Sequence, residues 1–373
     1  GGTALVAKTM GEGDDKRARG LFSLIVYATL IVGIACGVVV FVAVGSVAGA
    51  LGAEGSLLEE CVVYGSILAF SLPFFMLQET FQSLLTAAGK PKVGLCVMVV
   101  AGVANIVLDA LFIIVFQWGL AGAALATAIS EVLGGAIPFL YFARPNSSTL
   151  RLGRPLIDMR ALGRVCMNGS SELVSNLSMS LVSMVYNFQL MAYIGPDGVA
   201  IYGVIQYVAW IAVSLLIGFT VGSSPIISYH YGAKNSAELK GLFRTCLGVM
   251  VAGGVLITVL THLFAHPLAA VFVGYDPALC EMTVAALGEY SLAFIFVGVS
   301  IFGSAFFTAL NNGLVSALIS FLRTLVFECA AVMFLPAFIG VDGIWLSIVV
   351  AEIASMFLTG GFLVGLRKHY GYV

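Results

Sequence analysis

The chain has 373 residues, 60% of them hydrophobic and only 10% charged, with a formal net charge of −2. A soluble domain carries roughly 25% charged residues, so this composition demands a membrane-embedded protein and excludes an ordinary soluble one. The chain holds no basic patch, zinc spacing, HExxH, phosphate-binding glycine loop or nucleophile elbow, which argues against nucleic-acid partners and against the common motif-borne enzymes. Its seven cysteines are scattered singly, mostly in apolar runs, and read as small hydrophobes.

A hydrocarbon core about 30 Å thick takes about 20 helical residues. Ten stretches meet that length: 21–51, 61–88, 93–117, 119–143, 161–191, 198–228, 242–273, 281–310, 313–337 and 342–366. The breaks between them carry turn chemistry, as in "GEGDDKRARG", "AAGKPK", "YIGPDG" and "GYDPALCE". The 17 basic residues fall at every second break or at the C-terminal tail, with Arg323 counted among them, and the other breaks hold only acids. The positive-inside rule then predicts a multi-pass plasma-membrane protein with its termini and even-numbered connections in the cytoplasm.

An internal repeat emerges in the same pass. "MGEGDDKRA" from Met10 matches "YGAKNSAEL" from Tyr231 in character, 221 positions later. At that offset "LAGAALATAISEV" aligns with "VDGIWLSIVVAEI", so that Gly122 meets Gly343 and Glu131 meets Glu352. "TAAGK" at Thr86 faces "TALNN" at Thr308 with a one-residue slip. Two whole spans precede the second "YGAKN" break, but only ten residues precede the first. The expectation is therefore two pseudo-symmetric six-helix bundles, all α, with about ten full helices present. Residues 1–143 would form an N-terminal bundle lacking its first helix and most of its second, 144–160 a cytoplasmic linker, and 161–373 a complete bundle.

Seven acids lie within spans: Glu79, Asp109, Glu131, Glu172, Glu289, Glu328 and Glu352. Keeping a carboxylate in a lipid-like medium is costly, so the default reading of each is functional. Glu289 lies near an outer end, where snorkelling is easy. Glu79 has a structural alternative, pairing with Lys90, Lys92 or Arg323. Asn105 and Asp109 share a helix face, and Thr127 and Glu131 share one on the next span. Four oxygen-bearing side chains on adjacent helices suit a hard cation or a proton relay, and simple hydrogen bonding between helices stays open beside these. In the second copy, Glu172, Asn176, Met179, Ser183 and Asn187 form one helical face, with Gln206 in the next span. That stripe suits a water-filled substrate cavity, or again hydrogen bonding between helices.

On "ANIVLDALFI" followed by "GLAGAALATAISE", on "VGSSPIISYHYGAKN" and on "GVDGIWLSIVVAE", the chain resembles the multidrug and toxic compound extrusion (MATE) transporters. The stripe, with "GPDGVAIYGVIQYV" after it, resembles the prokaryotic DinF/MepA-like branch. The resemblance implies two bundles around a central cavity and export of small lipophilic cations by antiport with Na⁺ or H⁺. It implies no other cofactor, function as a monomer in the bilayer, and no enzymatic step. It places the N-terminal cation site on Asn105, Asp109 and Thr127, which would be the Na⁺ ligands if Na⁺ is the coupling ion. Its C-terminal acid falls on Glu172. A lipid-linked oligosaccharide or lipid flippase of the same wider superfamily is the alternative; it would need several basic residues in its cavity. A channel or an intramembrane enzyme fits the polar pattern less well.

Overall fold

Caps and prolines decide where the helices begin. The computed structural model describes residues 1–372, and no β-strand occurs among them. Asp14 accepts a hydrogen bond from the Arg17 amide at 3.0 Å, and Asn235 accepts one from the Glu238 amide at 3.2 Å, each closing the first turn of a long helix. Pro91, Pro196 and Pro277 sit in first turns, where the missing N–H costs nothing.

The chain folds as two compact units, 12–162 on one hand and 1–11 with 163 onward on the other. The first eleven residues, with helix α1 (Gly2–Gly11), pack on α7 within the unit that resumes at residue 163.

The unit of residues 12–162 contains α2 (Asp15–Ala50), α3 (Gly55–Ala87), α4 (Pro91–Asp109), a π-helical segment Ala110–Val115 and α5 (Gly119–Ala143). Its core is the trio Phe22, Phe81 and Phe142, each fully buried, with Phe142 centred 4.8 Å from Phe22 and 5.7 Å from Phe81. Outside that core the helices expose apolar side chains, Val42 at 75% and Phe70 at 76%, as lipid-facing spans do. The expected linker 144–160 folds back on this unit: Arg19 Nε donates to the Thr149 carbonyl at 2.6 Å and the Leu156 amide to the Gly20 carbonyl at 3.0 Å.

The other unit continues with α6 (Met159–Tyr193), whose first turn precedes the unit boundary, then α7 (Pro196–Gly232), α8 (Ser236–Leu263), α9 (Ala265–Val273), α10 (Pro277–Ser291) and α11 (Phe294–Ala309). It ends in α12 (Gly313–Phe321), a second π segment Leu322–Phe327, α13 (Glu328–Phe334), α14 (Pro336–Ile339), α15 (Val341–Gly365) and α16 (Arg367–Tyr370). Helices α10 and α11 meet at a 46° bend. Among the described residues eight helices are long and apolar enough to cross a membrane, nine if the bent pair counts as one. The tenth expected span is α6. At 35 residues, about 52 Å, it has the length, but its polar face leaves it less apolar than the rest.

The 221-residue offset reappears in local geometry. Backbone with positive φ occurs at Gly13 and Lys234, at Gly119 and Gly340, and one residue out of step at Gly89 and Asn311. The two N-caps Asp14 and Asn235 stand at the same offset, and so do two aromatic pairs: Phe22 with Phe81, and Phe243 with Phe302. Where α1 crosses α7, a Cβ on Gly11 would strike the Tyr229 carbonyl and a Cβ on Gly232 the Lys8 carbonyl. Those contacts exchange with one another under the offset, so the crossing is symmetric and tolerates only glycine at its centre.

Candidate functional site

Asp109 is the last residue of α4, immediately before the first π segment. Helix α4 packs along α5, and the π segment packs on α5 as well, with Gly122 beneath the backbone of Phe112. A π turn widens the helix and is often found at functional positions. Asn105 and Asp109 are half-buried one turn apart, and neither side chain makes a hydrogen bond or ion pair among the described residues. Thr127 on α5 is half-buried, and its carbonyl accepts from Ser130 Oγ at 2.7 Å. Glu131 is engaged elsewhere: Ser71 Oγ of α3, fully buried, donates to its carboxylate at 2.5 Å. Asn105 and Asp109 thus lie on one member of a packed helix pair and Thr127 on the other, while Glu131 joins α5 to α3.

Sequence reasoning missed the rest of that α3–α5 seam. Gln78, seven residues after Ser71 and so on the same face, has a buried Oε1 with no partner, and its side chain lies over Gly134 of α5. Glu79 forms no ion pair with Lys90 or Lys92 among the described residues. An open crevice of about 470 Å³ beside the seam, lined by Phe70, Leu125, Ile129 and Leu133 among others, is apolar and contains none of the expected site residues. No group of three or more His, Cys, Asp or Glu among the described residues is arranged to hold a metal. The chemical capacity at Asp109 is a carboxylate with unspent lone pairs and one amide oxygen a turn away, which can accept a proton or contribute part of a cation's shell.

Helix α6 separates into three faces. Ser171, Ser178, Val182, Tyr186 and Leu190 are buried, whereas Leu173, Leu177, Met184 and Phe188 form an exposed apolar face. The polar stripe runs between them: Glu172, Asn176 and Met179 are exposed, and Ser183 and Asn187 half-buried. The stripe thus follows the border of the packed face instead of being buried in it. Asn176 Nδ2 donates to the Glu172 carbonyl at 2.8 Å, a local bond that does not tie α6 to another helix. Ser183 and the half-buried Gln206 both lie at the Tyr202 hydroxyl, which brings the two spans of the expected cavity together at that point.

Arg323 is not a boundary charge. The alternation of basic breaks assigns it to the cytoplasmic side, but it lies ten residues into the continuous span Gly313–Ile339, within the second π segment. Its Nη2 and Nε both reach Glu352 Oε1 of α15 at 2.7 Å. Glu352 is 2% exposed and its other oxygen is unpartnered. A lone guanidinium at that depth would be prohibitive, so the carboxylate is what permits it. The clue in sequence is that Arg323 and Glu328 lie within one apolar run, too far from the Asn311–Asn312 break to be a loop charge.

Comparison with known proteins agrees with this architecture. The family model MatE matches residues 1–111 and 173–331. The multidrug export protein MepA of Staphylococcus saprophyticus is 25% identical over 307 residues, covering 80% of this chain and 67% of that protein. MepA of Staphylococcus aureus is 23% identical over 360 residues, covering 94% of this chain and 77% of that protein. Among solved structures, an outward-facing multidrug resistance MATE family transporter superposes with a TM-score of 0.92 at 20% identity, covering 99% of this chain and 82% of that one. The MATE transporter VcmN of Vibrio cholerae superposes with a TM-score of 0.91 at 22% identity, covering 100% and 84%. With the greater part of its length matched by the family model, its helices following the MATE fold and its relatives in the MepA-like branch, the chain belongs to the MatE family of membrane transporters.

Proposed function

We propose that the protein is a secondary active exporter of small lipophilic cations, in antiport with Na⁺ or H⁺ that binds at Asp109 with Asn105 and Thr127. The observation that carries this reading is the unpaired, half-buried Asp109 inside the apolar span Pro91–Val115. A carboxylate kept there without a partner needs a transient one. The named activity of the MepA relatives, multidrug export, supports the cargo class. The exposed polar stripe Glu172, Asn176, Met179, Ser183 and Asn187, with Gln206, supplies adaptable contacts and one acidic group for cationic cargo. The segregation of basic residues supports cytoplasmic termini and even-numbered connections, and the reading requires only one copy of the chain.

A flippase handling pyrophosphate lipids would need free basic side chains at membrane depth. Arg323 is at that depth, but its charge is spent on Glu352. The test is dye efflux by the intact protein in proteoliposomes, with a Na⁺ gradient and a pH gradient imposed separately. Efflux driven by one of them is expected; efflux indifferent to both would refute the antiport reading.

A further inference from the structure

A second pocket, of about 120 Å³, lies at the turn that joins α7 to α8. His230, Tyr231, Lys234, Asn235 and Ser236 line it, with Tyr370 of α16 and one apolar side chain beside them. The backbone builds this turn. The Asn235 amide donates to the His230 carbonyl at 3.0 Å and the Lys234 amide to the Tyr231 carbonyl at 3.2 Å, which closes α7 through a left-handed residue. That residue is Lys234, at φ 55°. Tyr370 is fixed from two sides, its ring edge-on to Tyr231 at 5.8 Å and its hydroxyl oxygen accepting from Asn312 Nδ2 at 2.8 Å.

The lining offers donors and no carboxylate. The Lys234 ammonium, the Ser236 hydroxyl and Asn235 Nδ2 have no acceptor among the described residues. Asn235 spends only its Oδ1, on the Glu238 amide at 3.2 Å. The Tyr370 hydroxyl has accepted from Asn312 and keeps its own proton to donate. His230 is half-buried, and neither of its ring nitrogens is hydrogen-bonded among the described residues. The start of α8, a helix of 28 residues, adds its positive end. Residues 229–245 and 366–372, which form the pocket, carry Lys234, Lys240, Arg244, Arg367 and Lys368 against Glu238 as the one acid. Lys8 Nζ lies 5.3 Å from the centre of the Tyr231 ring. A concave site with this balance attracts an anion.

The turn itself does not demand these side chains. At the 221-residue offset the first copy has Thr9, Gly13, Asp14 and Asp15 where the pocket has His230, Lys234, Asn235 and Ser236. Gly13 takes the left-handed backbone freely, whereas a lysine held there is strained. Asp14 and Asn235 cap their helices alike, so capping does not explain why the pocket has an amide where the first copy has a carboxylate. The extra cation and the missing acids belong to the pocket.

We propose that this pocket binds the phosphate group of an anionic ligand, held by Lys234, Asn235 Nδ2 and the hydroxyls of Ser236 and Tyr370. Its volume is that of about four liquid waters at ~30 Å³ each, room for one phosphate group and not for a whole cargo molecule. Lys234, Asn235 and Ser236 are exposed, at a break that the distribution of basic residues assigns to the cytoplasmic face. An anionic lipid headgroup and free phosphate can both reach it there. The site is separate from Asp109 and holds whatever the coupling ion or the cargo is.

The test titrates the intact protein in neutral-detergent micelles with inorganic phosphate and, separately, with short-chain phosphatidylglycerol; zwitterionic phosphatidylcholine of the same chain length is the control. The readout is the rise in unfolding temperature with ligand concentration, and native mass spectrometry counts the bound ligand. A response to the anionic lipid alone upholds the site with a headgroup as its ligand, to phosphate alone with the free ion, and to both with phosphate from either source. Lys234→Gly relieves the strained backbone, and Ser236→Asp puts an acid in a first turn that favours it, so both variants should fold. Each should weaken the apparent affinity about tenfold or more. If either does not fold, Lys234→Gln takes its place with the same expectation. No response in the wild type, an equal response to phosphatidylcholine, or wild-type affinity in the variants overturns the site.

Discussion

Replacing Arg323 by Met should destabilise the protein by several kcal/mol, about 3–5. The substitution keeps an unbranched side chain in the second π segment but strands Glu352, which is 2% exposed and whose only side-chain partner among the described residues is that guanidinium. Removing one member of a buried pair typically costs about 3–5 kcal/mol. The deficit expected of Arg323→Met is of that order, because Glu352 has no second cation among the described residues to turn to. Equilibrium unfolding of the intact protein in mixed micelles, beside the wild type, measures it. The double variant Arg323→Met with Glu352→Gln should recover most of the loss. Wild-type stability in Arg323→Met, or no recovery in the double variant, would refute the assignment of a buried compensated pair.

Gly232→Ala, which places a Cβ against the Lys8 carbonyl at the α1–α7 crossing, should cost about 1–3 kcal/mol in the same unfolding assay, and Gly11→Ala a similar amount because its contact is the reciprocal one. Gly218→Ala, on α7 with open space at its Cβ, should not do so; equal costs at all three positions would contradict the close-approach argument. Cysteine placed at Asn176, Ser183 or Asn187 in a cysteine-free background should react with a membrane-impermeant thiol reagent in at least one transport state. Cysteine at Val182, 4% exposed on the buried face, should stay protected; uniform protection of the stripe would assign it to helix packing.

Composition and spacing made the helical spans legible, and the 221-residue repeat was legible too, because its turns, caps and aromatic pairs are written in short local patterns. Asn105 and Asp109 could be found as a pair because an interval of four fixes a shared face. What lay outside that reach depends on packing between distant segments. Glu131 has the spacing to join Asp109, but its carboxylate is taken by Ser71, sixty residues earlier, on a helix that no local pattern pairs with α5. Arg323 resembles a boundary charge until Glu352, twenty-nine residues further on, is seen to hold it inside the membrane span. The two π segments next to Asp109 and at Arg323 are equally silent, since "ALFIIV" and "LRTLVF" carry no proline or glycine to mark a change of helical pitch. The three faces of α6 were half legible: the polar stripe follows from periodicity, but its position along the edge of the buried face follows from the later helices that share a core with Val182, Tyr186 and Leu190.

The most direct measurement of the central claim is ion-gradient-driven dye efflux by the wild type and by Asp109→Asn, both intact and reconstituted side by side. The substitution keeps the shape and hydrogen-bonding capacity of a half-buried side chain that has no partner to lose among the described residues, so folding and dye binding should survive. On the proposed mechanism it removes the group that changes charge when the coupling ion binds, and an ion shifts a conformational equilibrium only through unequal affinity for the two states. The account predicts loss of gradient-driven efflux with dye binding retained. Wild-type efflux with unchanged ion dependence in Asp109→Asn would contradict it.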